Sequence, residues 1–276
     1  MTRVTFSTTL ACLLLTACST STAAPATPPA NPAPASPVAA PTQEQPPRLP
    51  PAQPAPTERP PLPARYIVTE FAVPAGSAPH DVAPARDGGV WYAAQRSGML
   101  GWLDPKTGAM QVWDAPKGRG PYGITATPDG NVYYASLAGS YVGHIDTATG
   151  AVTVLEPPTP GQGARRVWSD SQNNVWVSEW NSGQLSLYRP AKGQWQQWKL
   201  PGARPQAYAV YVDERDAVWL SDWGNNTMVR FDPLTATFLT VPLPSANANV
   251  RQILGRPGEV WLPLSGVDKL AVIRPE

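Results

Sequence analysis

Cysteine is almost absent from this chain of 276 residues. The two cysteines, Cys12 and Cys18, both lie in the first 18 residues. We interpret these residues as a signal that is cleaved before Cys18, so that Cys12 leaves with the signal. The mature chain then has no disulfide and no thiolate nucleophile, which excludes a disulfide-stabilised scaffold and cysteine-based catalysis.

An excess of charge is also missing. The 21 Lys and Arg residues nearly balance the 20 Asp and Glu residues, and the formal net charge is +1. Proteins that bind nucleic acids or anionic surfaces through a general field carry a strong positive charge. We therefore expect no nucleic-acid partner.

Helical periodicity and the familiar catalytic motifs are missing as well. No segment has a sustained apolar period of 3.6 residues, so the sequence predicts almost no helix. The chain contains no G-x-S-x-G elbow, no HExxH and no Cys–His metal spacing. Its G-x-G-x-x-G match, Gly118–Gly123, precedes a predicted strand instead of opening a helix, which argues against a dinucleotide site.

The N-terminus has the layout of a bacterial lipoprotein signal. Arg3 supplies a positive start, an apolar stretch runs to Leu15, and residues 15–18 (Leu-Thr-Ala-Cys) resemble a lipobox. The stretch is too short for a membrane span. We predict that residues 1–18 are a signal peptide with a lipobox and that Cys18 becomes the lipidated, membrane-anchoring residue. An ordinary signal with an incidental cysteine is the alternative.

The residues after Cys18 bear on location and domain organisation. Ser19, rather than Asp, follows the cysteine. By resemblance to lipoprotein sorting in diderm bacteria, this favours the outer membrane of the cell envelope. Residues 19–64 are rich in Pro and Ala, and such runs form neither helix nor central strand. We predict a disordered tether over residues 19–64 and one folded domain over residues 65–276.

A repeat about 42 residues long fills the rest of the chain. Its marker is a Val–aromatic pair that follows a polar turn. The five pairs are Val90-Trp91, Val132-Tyr133, Val175-Trp176, Val218-Trp219 and Val260-Trp261. Each unit has four short apolar runs separated by turn residues such as Asp-Gly, which predicts four strands. The repeat therefore predicts an all-β fold, a single β-propeller of five four-stranded blades.

The two ends of the repeat array predict how the propeller closes. Thr69–Val73 has the pattern of a fourth strand that no first three strands precede. The last unit ends after its third strand, Leu270–Ile273. We predict that the N-terminal strand completes the last blade and closes the ring, because closure removes two exposed strand edges.

Two register positions place polar residues at comparable points of the blades. The start of each first strand, predicted to be innermost, holds His80, Tyr122, Arg165, Tyr208 and Arg251. The end of each second strand holds Ala94, Ser136, Glu179, Asp222 and Leu264. Burying an unpaired charge costs on the order of several kcal/mol. These polar groups are therefore expected to be hydrated, ion-paired or bound to a ligand.

A binding site at one channel mouth is therefore one hypothesis for these residues. It would use Tyr122, Arg165, Tyr208, Asp222 and Arg251 as ligand-binding residues. The alternative is an ion-pair network that serves only the structure and comprises Arg165, Glu179, Asp222 and Arg251. Structural networks of this kind also perturb pKa values, so perturbed ionisation by itself does not indicate a binding site.

Four short segments carry a resemblance to a known family. They are Ala78–Val82, Gly120–Ile124, Val175–Trp180 and Val218–Trp223. These segments resemble the streptogramin lyase family, typified by virginiamycin B lyase, and the resemblance covers residues 66–276. It implies a β-propeller that linearises cyclic depsipeptide antibiotics by Mg²⁺-assisted elimination at the ester.

The resemblance also implies which residues would act. His80 and Glu179 are its catalytic candidates, and Glu179 and Asp222 are its candidates for holding Mg²⁺. The chain departs from the family pattern at two points. It has five units where the typical lyase has seven blades, and its one matching histidine, His80, lies in the first unit.

Two functions are therefore predicted from the sequence. The first is an envelope-anchored propeller that binds a small polar ligand, a glycan or a protein at the channel mouth. The alternative is a metal-assisted carbon–oxygen lyase that acts on a cyclic depsipeptide or a related ester. Whether the chain is an enzyme is open at this point.

Overall fold

The computed structural model describes residues 69–118 and 120–275. The predicted signal peptide, the lipidation of Cys18 and the predicted tether all lie outside these residues. None of the helices in the described part of the chain has the length and apolar character needed to cross a bilayer.

The described residues form five antiparallel sheets, which we call blades 1 to 5. Blade 1 contains β1 (Pro79–Pro84), β2 (Val90–Ala94), β3 (Met99–Leu103) and β4 (Met110–Asp114). Blade 2 contains β5 (Ile124–Ala126), β6 (Val132–Ser136), β7 (Tyr141–Ile145) and β8 (Val152–Leu155). Blade 3 contains β9 (Ala164–Ser169), β10 (Val175–Glu179), β11 (Gln184–Arg189) and β12 (Gln194–Lys199).

The last two blades complete the strand set. Blade 4 contains β13 (Ala207–Val212), β14 (Val218–Asp222), β15 (Thr227–Asp232) and β16 (Thr237–Pro242). Blade 5 contains three strands, β17 (Leu254–Arg256), β18 (Glu259–Leu264) and β19 (Lys269–Ile273). Two short 3₁₀ helices, Pro116–Gly118 and Pro190–Lys192, are the only helices among the described residues. The all-β propeller blades predicted from the repeat are thus confirmed.

The turn between the first and second strands shows why the repeat folds in the same way each time. One residue of this turn takes a positive φ in every blade, and the five are Gly88, Gly130, Asn173, Asp216 and Gly258. Glycine has no steric penalty there, and Asn and Asp tolerate the left-handed region better than other residues. In blades 1 to 4 the backbone N–H of this residue donates to the carbonyl three residues earlier, which closes the turn.

The core lies between consecutive blades. Four clusters of buried apolar residues join blade 1 to 2, 2 to 3, 3 to 4 and 4 to 5. The marker aromatics Trp91, Tyr133, Trp176 and Trp219 each belong to the cluster shared with the following blade. Face-to-face packing of neighbouring blades therefore accounts for the repeated Val–aromatic pair.

The predicted closing strand differs in the structure. Residues 69–74 are not strand, and among the described residues β19 pairs with β18 alone. Phe71 lies instead beside blade 1, where its ring packs next to Gly108. A Cβ added to Gly108 would lie 3.9 Å from two atoms of that ring. Because Phe71 finds its apolar contact at the β3–β4 turn, the predicted pairing with Leu270–Ile273 is not formed in the described structure.

Candidate functional site

Five side chains from the starts of the first strands converge near the centre of the blades. The rings of His80 and Tyr122 lie 4.1 Å apart between centroids. The hydroxyls of Tyr122 and Tyr208 are 3.0 Å apart. We use the name axial cluster for these five side chains and the two tryptophans that pack against them. Its members are His80, Tyr122, Arg165, Tyr208, Arg251, Trp180 and Trp223.

Aromatic rings surround Arg165 on several sides. Its guanidinium carbon lies 3.7 Å from the ring centroid of Tyr208 and 4.8 Å from those of Tyr122 and Trp180. Its Nη2 donates to the Tyr122 hydroxyl at 3.1 Å, while its Nε is buried without a hydrogen-bond partner. Cation–π contacts of this kind fix the position of the guanidinium without neutralising its charge.

Arg251 also lies against an aromatic ring of the axial cluster, that of Trp223. The rings of Tyr208 and Trp223 stack at 4.7 Å, and the Arg251 guanidinium lies 5.0 Å from the Trp223 ring. Trp223 is held in place because its indole N–H donates to the Val250 carbonyl at 2.7 Å. Trp180 packs edge-on against both Tyr208 and Trp223.

The two tyrosines of the cluster have different acidities. Burial raises the pKa of Tyr122. Burial also acts to raise the pKa of Tyr208, but hydrogen bonds from Tyr122 and Arg165 overcome it, and the net pKa is lowered. Since Arg165 donates to the Tyr122 oxygen, the Tyr122 hydroxyl is left to donate to Tyr208, which contributes to the lowered pKa of Tyr208.

An ion pair next to the axial cluster was missed by the sequence reasoning. Arg166 Nη1 donates to Asp81 Oδ2, and Asp81 Oδ1 lies 2.7 Å from His80 Nδ1. Asp81 and Arg166 each directly follow a residue of the first register position. Asp81 is thus the carboxylate that pairs with Arg166 here.

β-bulges explain why neighbouring residues both reach the centre. In β1, two residues (80 and 81) stand opposite one residue of β2, because the register shifts between Pro79 and Val82. In β9, Arg165 is the extra residue between the paired residues Ala164 and Arg166. A bulge breaks the strict alternation of a strand and redirects side chains. The residues that directly follow the first register position would have identified Asp81 and Arg166, provided that a bulge at the start of the strand was expected.

A cavity of about 370 Å³ opens beside the axial cluster. The first strands of blades 1, 3 and 4 and the segment 251–254 of blade 5 line it. Its polar lining residues are His80, Asp81, Arg166, Arg251 and Gln252. We call it the axial cavity. Its volume lies in the lower part of the range of small-molecule sites.

A larger groove of about 530 Å³ lies between blades 3 and 4. Its lining contains Arg189, Arg215 and Arg230 together with three aspartates. One of these, Asp170, already accepts hydrogen bonds from Trp176 and Asn174, which gives it a structural role. Three arginines and three aspartates line this groove, so its lining has no excess of either charge.

Glu179 lies inside blade 3 and forms no ion pair among the described residues. Its carboxylate accepts hydrogen bonds from Ser182 Oγ at 2.6 Å, from Ser186 Oγ and from Gln197 Nε2 at 2.9 Å. Burial raises the pKa of Glu179, although these bonds act in the opposite direction. All three partners belong to blade 3 or its turns, so the contacts of Glu179 hold the blade together.

Asp222 caps the turn that follows β14. Its Oδ1 accepts from the backbone N–H of Gln206 at 2.8 Å, and its Oδ2 accepts from Asn225 Nδ2 at 2.6 Å. The predicted ion-pair network is therefore wrong in its partners. In residues 69–118 and 120–275, neither Arg165 nor Arg251 pairs with Glu179 or Asp222, because both carboxylates are engaged by their own blades.

The donor set does not fit the Mg²⁺ that the family resemblance implies. Mg²⁺ is held through carboxylate oxygens that are free to coordinate it. Glu179 and Asp222 are buried, and their oxygens accept hydrogen bonds from side chains and backbone of their own blades. Across the described ranges, no group of three or more His, Cys, Asp or Glu side chains comes together as a metal site.

Comparison with known proteins agrees with the blade architecture. Virginiamycin B lyase from Staphylococcus aureus, solved as a catalytically inactive variant with quinupristin, is 23% identical with a TM-score of 0.69. That match covers 74% of this chain and 69% of the lyase chain. The extracellular domain of a one-component-system protein from B. thetaiotaomicron is 15% identical with a TM-score of 0.62, and the match covers 77% of this chain and 29% of that chain.

These identities support the fold alone. No curated protein sequence matches the chain. The match that decides the family is the model of the virginiamycin B lyase family, which covers residues 63–273, well over half of the chain. The chain therefore belongs to the virginiamycin B lyase family.

Proposed function

We propose that this protein is a lipid-anchored envelope protein whose propeller binds a small polar ligand, a glycan or a protein segment at the axial cavity. The observation that carries the proposal is the convergence of five polar or polar-tipped residues, one from each blade, on one cluster beside a cavity. Small-molecule sites combine apolar and aromatic walls with a few convergent polar groups, so this lining supports recognition of a ligand.

Ligand-induced stabilisation tests this proposal. A ligand that binds only the folded state raises the melting temperature. Thermal melts of the full chain with a panel of monosaccharides, oligosaccharides, amino acids and short peptides should identify at least one stabilising compound. The variant Gln252→Ala changes the cavity wall and should reduce that shift. Gln172→Ala, in the exposed β9–β10 turn, should not. Absence of any shift across the panel would contradict the proposal.

The lipid anchor belongs to the same proposal. The lipobox at residues 15–18 supports processing at Cys18, and Ser19 supports the outer membrane as the destination. Intact-mass measurement of protein extracted from membranes should show an acylated chain that starts at Cys18. A mature N-terminus elsewhere, or wild-type protein found only in the soluble fraction, would reject the anchor.

A lyase activity is the second candidate, and one contact favours it. Asp81 lies against His80 Nδ1 at 2.7 Å, which orients the ring and leaves Nε2 as a base. In the elimination that the family suggests, the base takes a proton, the ester C–O bond breaks and a C=C bond forms. The unsuitability of Glu179 and Asp222 for a metal weighs against this candidate.

Incubation with quinupristin in the presence of MgCl₂ separates the two functions. Elimination opens the ring without changing the mass, whereas hydrolysis adds one water, so chromatography combined with mass spectrometry distinguishes the products. If the chain is a lyase, His80→Ala should lower turnover by about 10² to 10⁴. His144→Ala is the matched control, because His144 lies on β7 and contacts Asn131. Unreacted quinupristin would reject the lyase activity on this substrate.

A further inference from the structure

The axial cavity and its surroundings contain more positive than negative charge. Three guanidinium groups, those of Arg165, Arg166 and Arg251, meet one carboxylate, that of Asp81. Asp81 pairs with Arg166 and also contacts His80. Among the described residues, Arg165 and Arg251 are in no ion pair, and their cationic contacts are with aromatic rings.

This concentration of positive charge is local. The whole chain has a formal net charge of only +1, so a generally basic surface does not account for it. The two carboxylates closest in register, Glu179 and Asp222, are bound within their own blades. The cluster therefore retains uncompensated positive charge at the point where the cavity opens.

Aromatic contacts position the two unpaired arginines, closely for Arg165 and by one ring for the exposed Arg251. The rings of Tyr122, Tyr208 and Trp180 enclose Arg165, and Trp223 supports Arg251. A guanidinium that is already ordered loses little side-chain entropy when it binds. Its planar fork matches the two oxygens of a carboxylate or phosphate group.

From these observations we infer that the ligand of the axial cavity is a small anion, a molecule with a carboxylate or phosphate group held by Arg251 and Arg166. This inference rests on the proposed binding function and narrows it to one class of ligand. The cavity volume of about 370 Å³ limits the occupant to a small molecule. The Trp223 ring, which stacks on Tyr208, lies 5.0 Å from the Arg251 guanidinium at the cavity wall.

Calorimetric titration of the full chain with glucose, glucuronate, glucose 6-phosphate and inorganic phosphate tests the inference. The three sugars share one ring and differ in charge, and the two kinds of anion distinguish carboxylate from phosphate. We expect at least one anion to bind about tenfold more tightly than glucose, because charge-assisted hydrogen bonds are about twice as strong as neutral ones. The binding should weaken as NaCl rises.

Two variants assign the effect to the cavity. Arg251→Gln should weaken anion binding about tenfold or more, because Arg251 projects into the cavity and its loss removes the fork. Arg215→Gln removes the same charge from the exposed β13–β14 turn and should leave binding unchanged. Arg251→Lys should give an intermediate affinity, since it keeps the charge and loses the planar geometry.

Several results would overturn the inference. Equal affinity for glucose and the anions, with no effect of Arg251→Gln, would remove the anion requirement while the binding function stands. Anion binding that Arg251→Gln leaves intact would place the anion elsewhere on the protein. If none of the four probes binds, the anion inference fails, and the broader compound panel still decides the binding function by itself.

Discussion

The marker aromatic of the repeat has two different environments. In blades 1 to 4, the exposed fractions of Trp91, Tyr133, Trp176 and Trp219 are 0%, 2%, 1% and 7%. In blade 5, the exposed fraction of Trp261 is 37%. The first four aromatics are covered by the next blade in the chain, whereas no apolar cluster of the described residues joins blade 5 to blade 1.

This difference shows that the repeat pattern specifies an aromatic residue but not its burial. β18 alternates, with Val260, Leu262 and Leu264 buried and Trp261 exposed, while every residue of β6, β10 and β14 is buried. Leu254 and Leu270 are exposed on the neighbouring strands. Burial on both faces of a blade requires a neighbour on both sides, and in the described residues blade 5 has one.

Replacement of the marker aromatics should show the largest difference between the two environments. Trp176→Ala should lower the free energy of unfolding by about 3–5 kcal/mol, because it empties a packed site between blades 3 and 4. Trp261→Ala should cost less than about 1 kcal/mol, as expected for a partly exposed residue away from the core. Urea denaturation monitored by circular dichroism measures both.

Equal costs for the two replacements would contradict the comparison. A large cost at Trp261 would mean that blade 5 is covered in solution, as the sequence-based closure predicted. A small cost at Trp176 would mean that packing between blades contributes little to the stability of this fold.

The polar interior of blade 3 provides the second test. Blade 5 has Leu264 at the register position where blade 3 has Glu179, so blade 3, unlike blade 5, needs partners for a carboxyl group there. Glu179→Leu should cost about 1–3 kcal/mol, because it leaves the hydroxyls of Ser182 and Ser186 and the amide of Gln197 without their acceptor. Glu179→Gln should cost less, since an amide accepts and donates within the same contacts.

The pH dependence of these variants has a defined sign. The pKa of Glu179 is raised in the folded protein, so the folded state holds the proton more tightly than the unfolded state. The stability from this group is fully present below its unfolded pKa, about 4.3, and is lost as the pH rises through the raised folded pKa. Glu179→Gln should remove that loss. Identical pH profiles for the variant and the wild type would show that Glu179 is not buried as described.

The fold and the site could be predicted from the sequence to different depths. The turn residues Gly88 and Asn173 and the marker aromatics are local signals, so the blades could be predicted from them. The strand-start residues Arg165 and Tyr208 could be placed near each other because the repeat fixes their register. Asp81 and Arg166 were missed because bulges disturb the alternation on which register reasoning depends.

The partners of buried carboxylates were harder to predict. Glu179 lies in the register position next to Arg165, yet its hydrogen-bond donors follow it within blade 3, at Ser182, Ser186 and Gln197. Register places two residues near each other but does not say which donor reaches which oxygen. Closure was the hardest feature, because pairing between the two ends of the chain depends on contacts with the highest sequence separation.

The N-terminal segment tests the open side of blade 5 directly. Phe71 is half-buried beside the β3–β4 turn of blade 1, so Phe71→Ala should cost about 1 kcal/mol, near half of the value for a fully buried aromatic. A chain that begins at Ala75 should lose about the same amount relative to one that begins at Tyr66. A loss of several kcal/mol, together with a change in the environment of Leu270, would support the predicted closing strand.

The smallest expected effect concerns the carboxylate beside each tryptophan. Asp170 accepts the indole N–H of Trp176 in the buried interior, and Glu259 accepts that of Trp261 at 2.8 Å on blade 5. Hydrogen bonds from Arg256, at 2.6 Å, and from Trp261 lower the pKa of Glu259 to about 2. Because the folded pKa is depressed, the stability from this group is present above its unfolded pKa and is lost as the pH falls towards 2.

Carbon-detected NMR titration of the Glu259 carboxyl should therefore give a midpoint of about 2. Arg256→Gln should move that midpoint up towards the ordinary value of about 4.3, because it removes the strongest of the donors. Lys192→Gln, a charge change in the 3₁₀ turn of blade 3, should leave it unchanged. If the Glu259 midpoint is the same in Arg256→Gln and the wild type, the contacts of Glu259 with Arg256 and Trp261 do not persist in solution. The exposed face of blade 5 would then be less ordered than the covered faces of blades 1 to 4, which would sharpen the contrast between them.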